Sequence, residues 1–162
     1  MANPNVKGAN FERQIANLLS DHFKSKYNTT NSFRRNIEGS GSFFGGKNTH
    51  RTKTHINVVV GDIITPENFP YVIECKAYKT APSLQAIVKQ KVGLFDKWIE
   101  QVETDAKAVN KHPLLIVKFN LVPILALTPK VTKRLTPLFR YKNYYAYILN
   151  DFLPTIKIPK DK

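Results

Sequence analysis

Asp62 is followed, after eleven intervening residues, by Glu74-Cys75-Lys76. Side chains alternate along an extended strand, so Glu74 and Lys76 point to one face while Ile73 and Cys75 point to the other. Two carboxylates held close repel, and the arrangement is costly unless a cation lies between them. Hard oxygen ligands with positions left open to water suit Mg2+, with Mn2+ as a substitute. A lysine beside such an ion can steady an attacking hydroxide or the charge developing at phosphorus. The same residues also fit an ion-pair cluster on the strand of a basic nucleic-acid-binding protein without catalysis.

These residues need elements to position them. Phe11, Ile15, Leu18, Leu19 and Phe23 recur at helical spacing and predict a first amphipathic helix. At about 100° per residue Glu12 falls at the edge of that apolar face, an unusual place for a carboxylate. Residues 31–56, rich in Gly, Ser, Thr, Asn and basic side chains, predict a mobile loop. Ile56 to Val60 and Asp62 to Thr65 are extended in character, and the turn residues Pro66-Glu-Asn-Phe-Pro70 lead into Tyr71 to Lys76. An antiparallel hairpin is expected, with Asp62 on the strand beside Glu74. Helical spacing returns from Ser83 to about Val109, with Gly93 as a break between two helices. Leu114 to Phe119 and Val122 to Leu127 predict two buried strands, Pro123 suggesting an edge position or a bulge in the second.

The chain has 162 residues, enough for one substantial core. The expected organisation is a core over residues 1–128 and a C-terminal extension over residues 129–162. In the extension, Arg140-Tyr-Lys-Asn-Tyr-Tyr-Ala-Tyr147 interleaves aromatic and basic residues. Bases could stack there, or Tyr145, Tyr147 and Leu149 could bury one face of a last strand. Lys and Arg outnumber Asp and Glu by 25 to 12, a net charge of +13 spread along the whole chain. A large polyanion is the expected partner, bound largely through counterion release. The longest apolar run, Leu121 to Leu127, is too short to cross a bilayer, so no membrane partner is expected. The opening Met1-Ala-Asn-Pro-Asn shows no secretory leader, and a cytoplasmic location is expected. A lone cysteine, Cys75, excludes an internal disulfide and a cysteine-only zinc site.

Several blocks together resemble one family. Lys7-Gly8-Ala9-Asn10-Phe11-Glu12-Arg13-Gln14 is similar to the Lys-Gly-x-x-x-Glu-Arg-Glu opening of the archaeal and phage Holliday junction resolvases, nucleases of the PD-(D/E)xK type. Gly39-Ser40-Gly41-Ser42 resembles their serine loop, and Ile73-Glu74-Cys75-Lys76 their Ile-Glu-Val-Lys strand. Trp98-Ile-Glu-Gln101 through Pro113 to Phe119 resembles the helix and strand of the phage branch. Gly61 departs from the pattern, standing where proline is common.

The resemblance implies an α/β fold, a mixed central sheet flanked by helices. It implies a Mg2+-dependent endodeoxyribonuclease, phage-encoded and acting in the host cytoplasm, that resolves four-way junctions by paired symmetric nicks. Related nucleases that cut flaps, duplexes or damaged DNA are the nearest alternative. Asp62 and Glu74 would hold the metal together with the Cys75 backbone carbonyl, Lys76 would be the catalytic lysine, and Glu12 would complete the site. Ser40 or Ser42 would touch the scissile phosphate, Gln101 would assist, and Lys118 would contact DNA. Arg34 and Arg35, beside the proposed site, are expected on phosphates, as are Arg13, Lys47, Arg51 and Lys53. A four-way junction has approximate two-fold symmetry, which suits a homodimer with one site per subunit.

Two other motifs are set aside. Gly41-Ser-Phe-Phe-Gly-Gly46-Lys47 has phosphate-loop spacing, but Asn48 replaces the hydroxyl residue and no amphipathic helix follows, so no nucleotide cofactor is expected. His50 and His55 lie in a polar segment without a third convincing ligand, which favours solvated loop histidines over a metal pair.

Overall fold

The computed structural model describes residues 4–29, 31–37 and 60–159. Helix α1 runs over Pro4–His22 and buries Phe11, Ile15, Ala16 and Leu19, the stripe its 3.6-residue period predicts. A single further turn, α2 (Lys24–Tyr27), ends where Asn28 turns left-handed at φ 51°. The Ser20 hydroxyl both donates to the Phe33 carbonyl and accepts from the Phe33 N–H, tying the next segment to α1. That segment forms β1 (Arg34–Arg35), which pairs antiparallel with β2 (Ile63–Ile64) in a small separate sheet.

The main sheet begins with β3 (Tyr71–Tyr78). Helices α3 (Leu84–Val88) and α4 (Gly93–Ala108) lead to β4 (His112–Phe119), parallel to β3. Strands β5 (Leu125–Thr128), β6 (Phe139–Tyr141) and β7 (Tyr144–Ile148) add antiparallel pairings, in the spatial order β3-β4-β5-β7-β6. The chain closes with α5 (Leu149–Phe152) and a 3-10 turn over Leu153–Thr155. Two apolar layers enclose the sheet. Ile73, Cys75, Leu114, Ile116 and Tyr147 pack with α1 and α5, while Leu115, Val117, Tyr141 and Tyr144 pack with Phe95, Trp98 and Val102 of α4. This is the mixed α/β sheet with flanking helices that was expected. No helix among the described residues is long and apolar enough to cross a membrane.

Four expectations need correcting. The hairpin does not form as drawn: the ladder of β2 runs to β1, and β3 pairs with β4. Strand β5 is central and not at an edge, because Pro123 lies before it begins and removes no ladder donor. The helices do separate near Gly93, but the left-handed residue is Gln90 at φ 55°, and Gly93 opens the second helix. Residues 129–159 are no appendage. They supply two strands of the main sheet, and Tyr141, Tyr144 and Tyr147 are fully buried in its layers, so the aromatic stretch is core and not a stacking surface. Of the loop expected over 31–56, residues 38–56 lie outside the described residues, with Ser40, Ser42, Lys47, Arg51, Lys53 and both loop histidines.

Candidate active site

The site forms where β3 is the outermost strand of the sheet. Within a strand the N–H and C=O of one residue point to the same side, so Ile73 and Cys75 offer their backbone groups outward. Asp62 takes up both positions. Its N–H donates to the Ile73 carbonyl at 2.9 Å, and its Oδ2 accepts from the Cys75 N–H at 2.8 Å. Asp62 therefore lies beside Glu74 as expected, though it gets there through two bonds to a strand edge instead of a hairpin ladder. The Cys75 carbonyl points to the same side as its N–H, toward Asp62. Its thiol points the other way into the core, where burial pushes its pKa well up.

The backbone around Asp62 is held from both sides. Asn36, itself buried, donates its N–H to the Asp62 carbonyl and its side-chain amide to the Gly61 carbonyl, each at 2.8 Å. Gly61 has φ 80°, and a Cβ there would come within 2.6 Å of the Ile73 carbonyl oxygen. Proline, locked near −65°, cannot adopt that angle. This accounts for glycine where the resembling family commonly has proline. Neither Gly61 nor Asn36 was singled out as a site residue in the sequence, because neither carries a chemical signal there.

Glu74 is 1% exposed and points from the opposite face to Cys75, with Lys76 beside it. Lys76 Nζ donates to Glu74 Oε1. Burial and the neighbouring Asp62 push Glu74 up to about 8, while Lys76 pulls it down. Burial also raises Asp62, against the Cys75 hydrogen bond and the charge of Lys76. Burial pulls Lys76 down, but Glu74 outweighs it and the net shift is upward. A buried and a half-buried carboxyl group thus share one lysine, one positive charge too few for both to ionise comfortably.

Glu12 does approach the site. Its charge is felt at Asp62 and Cys75, and its Oε2 accepts from Arg35 Nε. Arg35 stands opposite Ile63, next to Asp62, so β1 brings in the cation that occupies Glu12. Arg35 is engaged by a carboxylate through Nε, which leaves its terminal N–H groups as further donors. Arg34 is exposed, as is Arg13, which donates to Asn10 Oδ1. Lys118 lies on the α1 side of the sheet, where Nζ donates to Gln14 Oε1 at 3.1 Å and sits over the Phe11 ring. Gln101 is exposed, and its side chain makes no hydrogen bond among the described residues. The residue of that helix that senses the site is Asp105, one turn later. It is half-buried, and its pKa is raised by burial and by Asp62. Its sequence signal matched that of Glu12, a carboxylate flanking the buried stripe of Trp98, Val102 and Ala106.

A divalent cation fits this arrangement. No group of three His, Cys, Asp or Glu side chains converges as a cage among the described residues. Mg2+ needs no such cage: one or two carboxylates, further oxygen and water suffice. Asp62 and Glu74 supply the carboxylates, the Cys75 carbonyl lies on the same edge, and the surplus of buried negative charge calls for a cation. A family model described as "Phage putative PDDEXK endonuclease" matches residues 3–154. No curated protein and no solved structure matches the chain.

Proposed function

Since the chain belongs to this phage PDDEXK endonuclease family, we propose that it is an endodeoxyribonuclease whose hydrolytic centre is built from Asp62, Glu74 and Lys76, and that its preferred substrate is a four-way junction. The observation that carries the centre is a buried Glu74 and a half-buried Asp62 beside the Cys75 backbone, with a lysine bonded to Glu74. Asp62, Glu74 and the Cys75 carbonyl would hold Mg2+ or, in its place, Mn2+. When bound, the ion supplies a Lewis acid for the phosphate and lowers the pKa of water for attack.

The chain's own residues do the rest. Asp62 is fixed at three points, by its N–H, its Oδ2 and its carbonyl, so its free oxygen is presented without reorganisation. Lys76 is held by its hydrogen bond to Glu74, and its remaining protons can meet the charge that develops on the phosphoryl oxygens. Glu12, held by Arg35 and electrostatically felt at Asp62, would align a proton-bearing group such as the attacking water. No covalent enzyme intermediate is needed. The serine assignments, Ser40 or Ser42 on the scissile phosphate, belong to this proposal on the strength of family resemblance.

Junction preference and a homodimer rest on that resemblance and on symmetry, since two matched nicks need two sites at a fixed separation. The test uses equal amounts of labelled four-way junction, fork and linear duplex, with and without Mg2+. Paired nicks in the junction, with duplex hardly cut, are expected. A mixed dimer carrying one Glu74→Gln subunit should nick one strand of the pair. A monomer on the junction, or matched duplex cut equally fast, would reduce the function to a general DNA nuclease. No cleavage of any substrate with either metal would remove the hydrolytic reading.

A further inference from the structure

At the end of the sheet where β3 and β4 begin, a cavity of about 280 Å3 opens between β3, α5 and the segment after β5. Lys130, Lys133, Arg134 and Lys157 line it, all exposed, and no carboxylate pairs with any of them among the described residues. Arg35, Lys76 and Lys142 each have a carboxylate partner, whereas these four unpaired cations are gathered around one cavity. Lys130 Nζ lies 3.2 Å from His112 Nε2. Burial and that lysine lower the histidine's pKa, which disfavours a further positive charge beside Lys130 and leaves the lysine without a counter-charge. Four like charges around one cavity repel each other, and an anion relieves that repulsion.

The floor identifies the anion further. Tyr71 and Phe152 line it, with ring centroids 6.1 Å apart at 70°. With Tyr71 4% and Phe152 1% exposed, the floor offers a small apolar edge and no open stacking face, and beneath a cationic rim it suits a sugar carrying a phosphate. The volume is roughly nine times the ~30 Å3 share of one liquid water, more than a bare ion requires.

Position separates this cavity from the hydrolytic centre. Tyr71 belongs to the apolar layer shared with α1 and α5, whereas Glu74 and Lys76 point from the other face. They also lie three and five residues further along β3, roughly 10 and 17 Å at about 3.3 Å per residue. A strand running straight through the hydrolytic centre would not enter a cavity on the opposite face.

We propose that this cavity is a second DNA site, holding a sugar-phosphate unit of a segment that diverges from the one being cut, such as a flanking arm of branched DNA. The inference rests on the nuclease reading for its choice of DNA. It gives residues 129–159 a binding role beyond completing the sheet.

The test compares the full chain with a Lys133→Gln/Arg134→Gln/Lys157→Gln variant, whose exposed positions leave the core intact and whose fold is verified by thermal melting. Binding is measured without divalent metal, so nothing is cut. The ligands are a four-way junction and a short duplex spanning only the hydrolytic centre. Junction affinity should fall at least about tenfold near 0.1 M salt. The slope of log affinity against log salt should become shallower by roughly 2 to 3, at about 0.9 per lost phosphate contact. Short-duplex binding should not change. Equal losses for both ligands would mean bulk charge only, and no loss for either would leave the cavity without a DNA role; each overturns the proposal. In a separate arm, inorganic phosphate is titrated against thermal stability. Stabilisation lost in the variant while junction binding persists would assign a small-anion site instead and also overturn the DNA assignment. Junction binding that weakens as expected in a protein that cuts nothing would refute the hydrolytic centre and leave this site standing.

Discussion

The two charged regions of the molecule are built on opposite plans. At the outer side of β3 the charges are buried or half-buried and held in place, with Glu74 1% exposed and bonded to Lys76, Arg35 paired with Glu12, and Asp62 tied to the Cys75 backbone. At the other end of the sheet, Lys130, Lys133, Arg134 and Lys157 are exposed and share no carboxylate among the described residues. Buried charges are weakly screened and fixed in place, the condition for acting on a bond. Exposed charges are strongly screened and mobile, the condition for holding a polyanion whose affinity depends on salt. Net charge alone does not distinguish the two. Burial and partnership do.

The sharpest way to break this contrast is to remove one buried carboxylate at constant shape. Asp62→Asn and Glu74→Gln should each abolish cleavage, while DNA affinity stays near wild type because the exposed cations are untouched. Lys76→Ala should behave similarly, with Glu74 left uncompensated. Single-turnover cleavage in Mg2+ beside an anisotropy titration gives both readings. Near wild-type cutting by either carboxylate variant would show the site is misassigned.

Glu12 should give the next largest effect. Glu12→Gln is expected to lower turnover at least about hundredfold, the loss usual for a group handling a proton, with little change in melting temperature. The competing explanation is that Glu12 only neutralises Arg35. A variant that melts lower and turns over normally would favour that ion pair.

The smallest effect concerns pH. Glu74 has an ordinary value of 4.5 and is pushed up to about 8 in the fold, first by burial and then by Asp62. Between those values the folded protein keeps a proton that the unfolded chain releases. The stability of the metal-free protein therefore falls as pH rises through that window and is unaffected by this group below about 4.5 or above about 8. Melting between pH 5 and pH 8 should show a drop on the order of 5 °C. Glu74→Gln should flatten it, and Mg2+ should stabilise more at pH 8 than at pH 5, because the proton competes less there. Identical slopes in both proteins would place the pH dependence elsewhere.

What the sequence disclosed follows from period. Alternation along Tyr71 to Lys76 put Glu74 and Lys76 on one face, and helical spacing put Glu12 at the margin of a buried stripe. Both geometries are local, so both were legible. The partner of β2 was not, because pairing Arg35 with Ile63 joins segments 28 residues apart in sequence, and nothing in either marks the other. The roles of Asn36 and Gly61 depend on that pairing and were hidden with it. Asp105 had the same signal as Glu12 and was passed over for Gln101, which the family resemblance favoured. The tyrosines of β6 and β7 left two readings open, since aromatic residues among lysines suit a stacking surface as well as a core, and only their place in the sheet decides.

The bonds that hold Asp62 have one more result. An outermost strand presents unpaired backbone groups to any passing chain, and such edges seed strand addition between molecules. In β3 the outward carbonyl of Ile73 and N–H of Cys75 are already taken by Asp62, whose charge also faces an approaching strand. The residue proposed to hold the metal is therefore a guard against self-association as well. Asp62→Ala would free the Cys75 donor and remove that charge, whereas Asp62→Asn keeps an oxygen there. The two substitutions should be equally inactive yet differ in how readily the protein aggregates at high concentration.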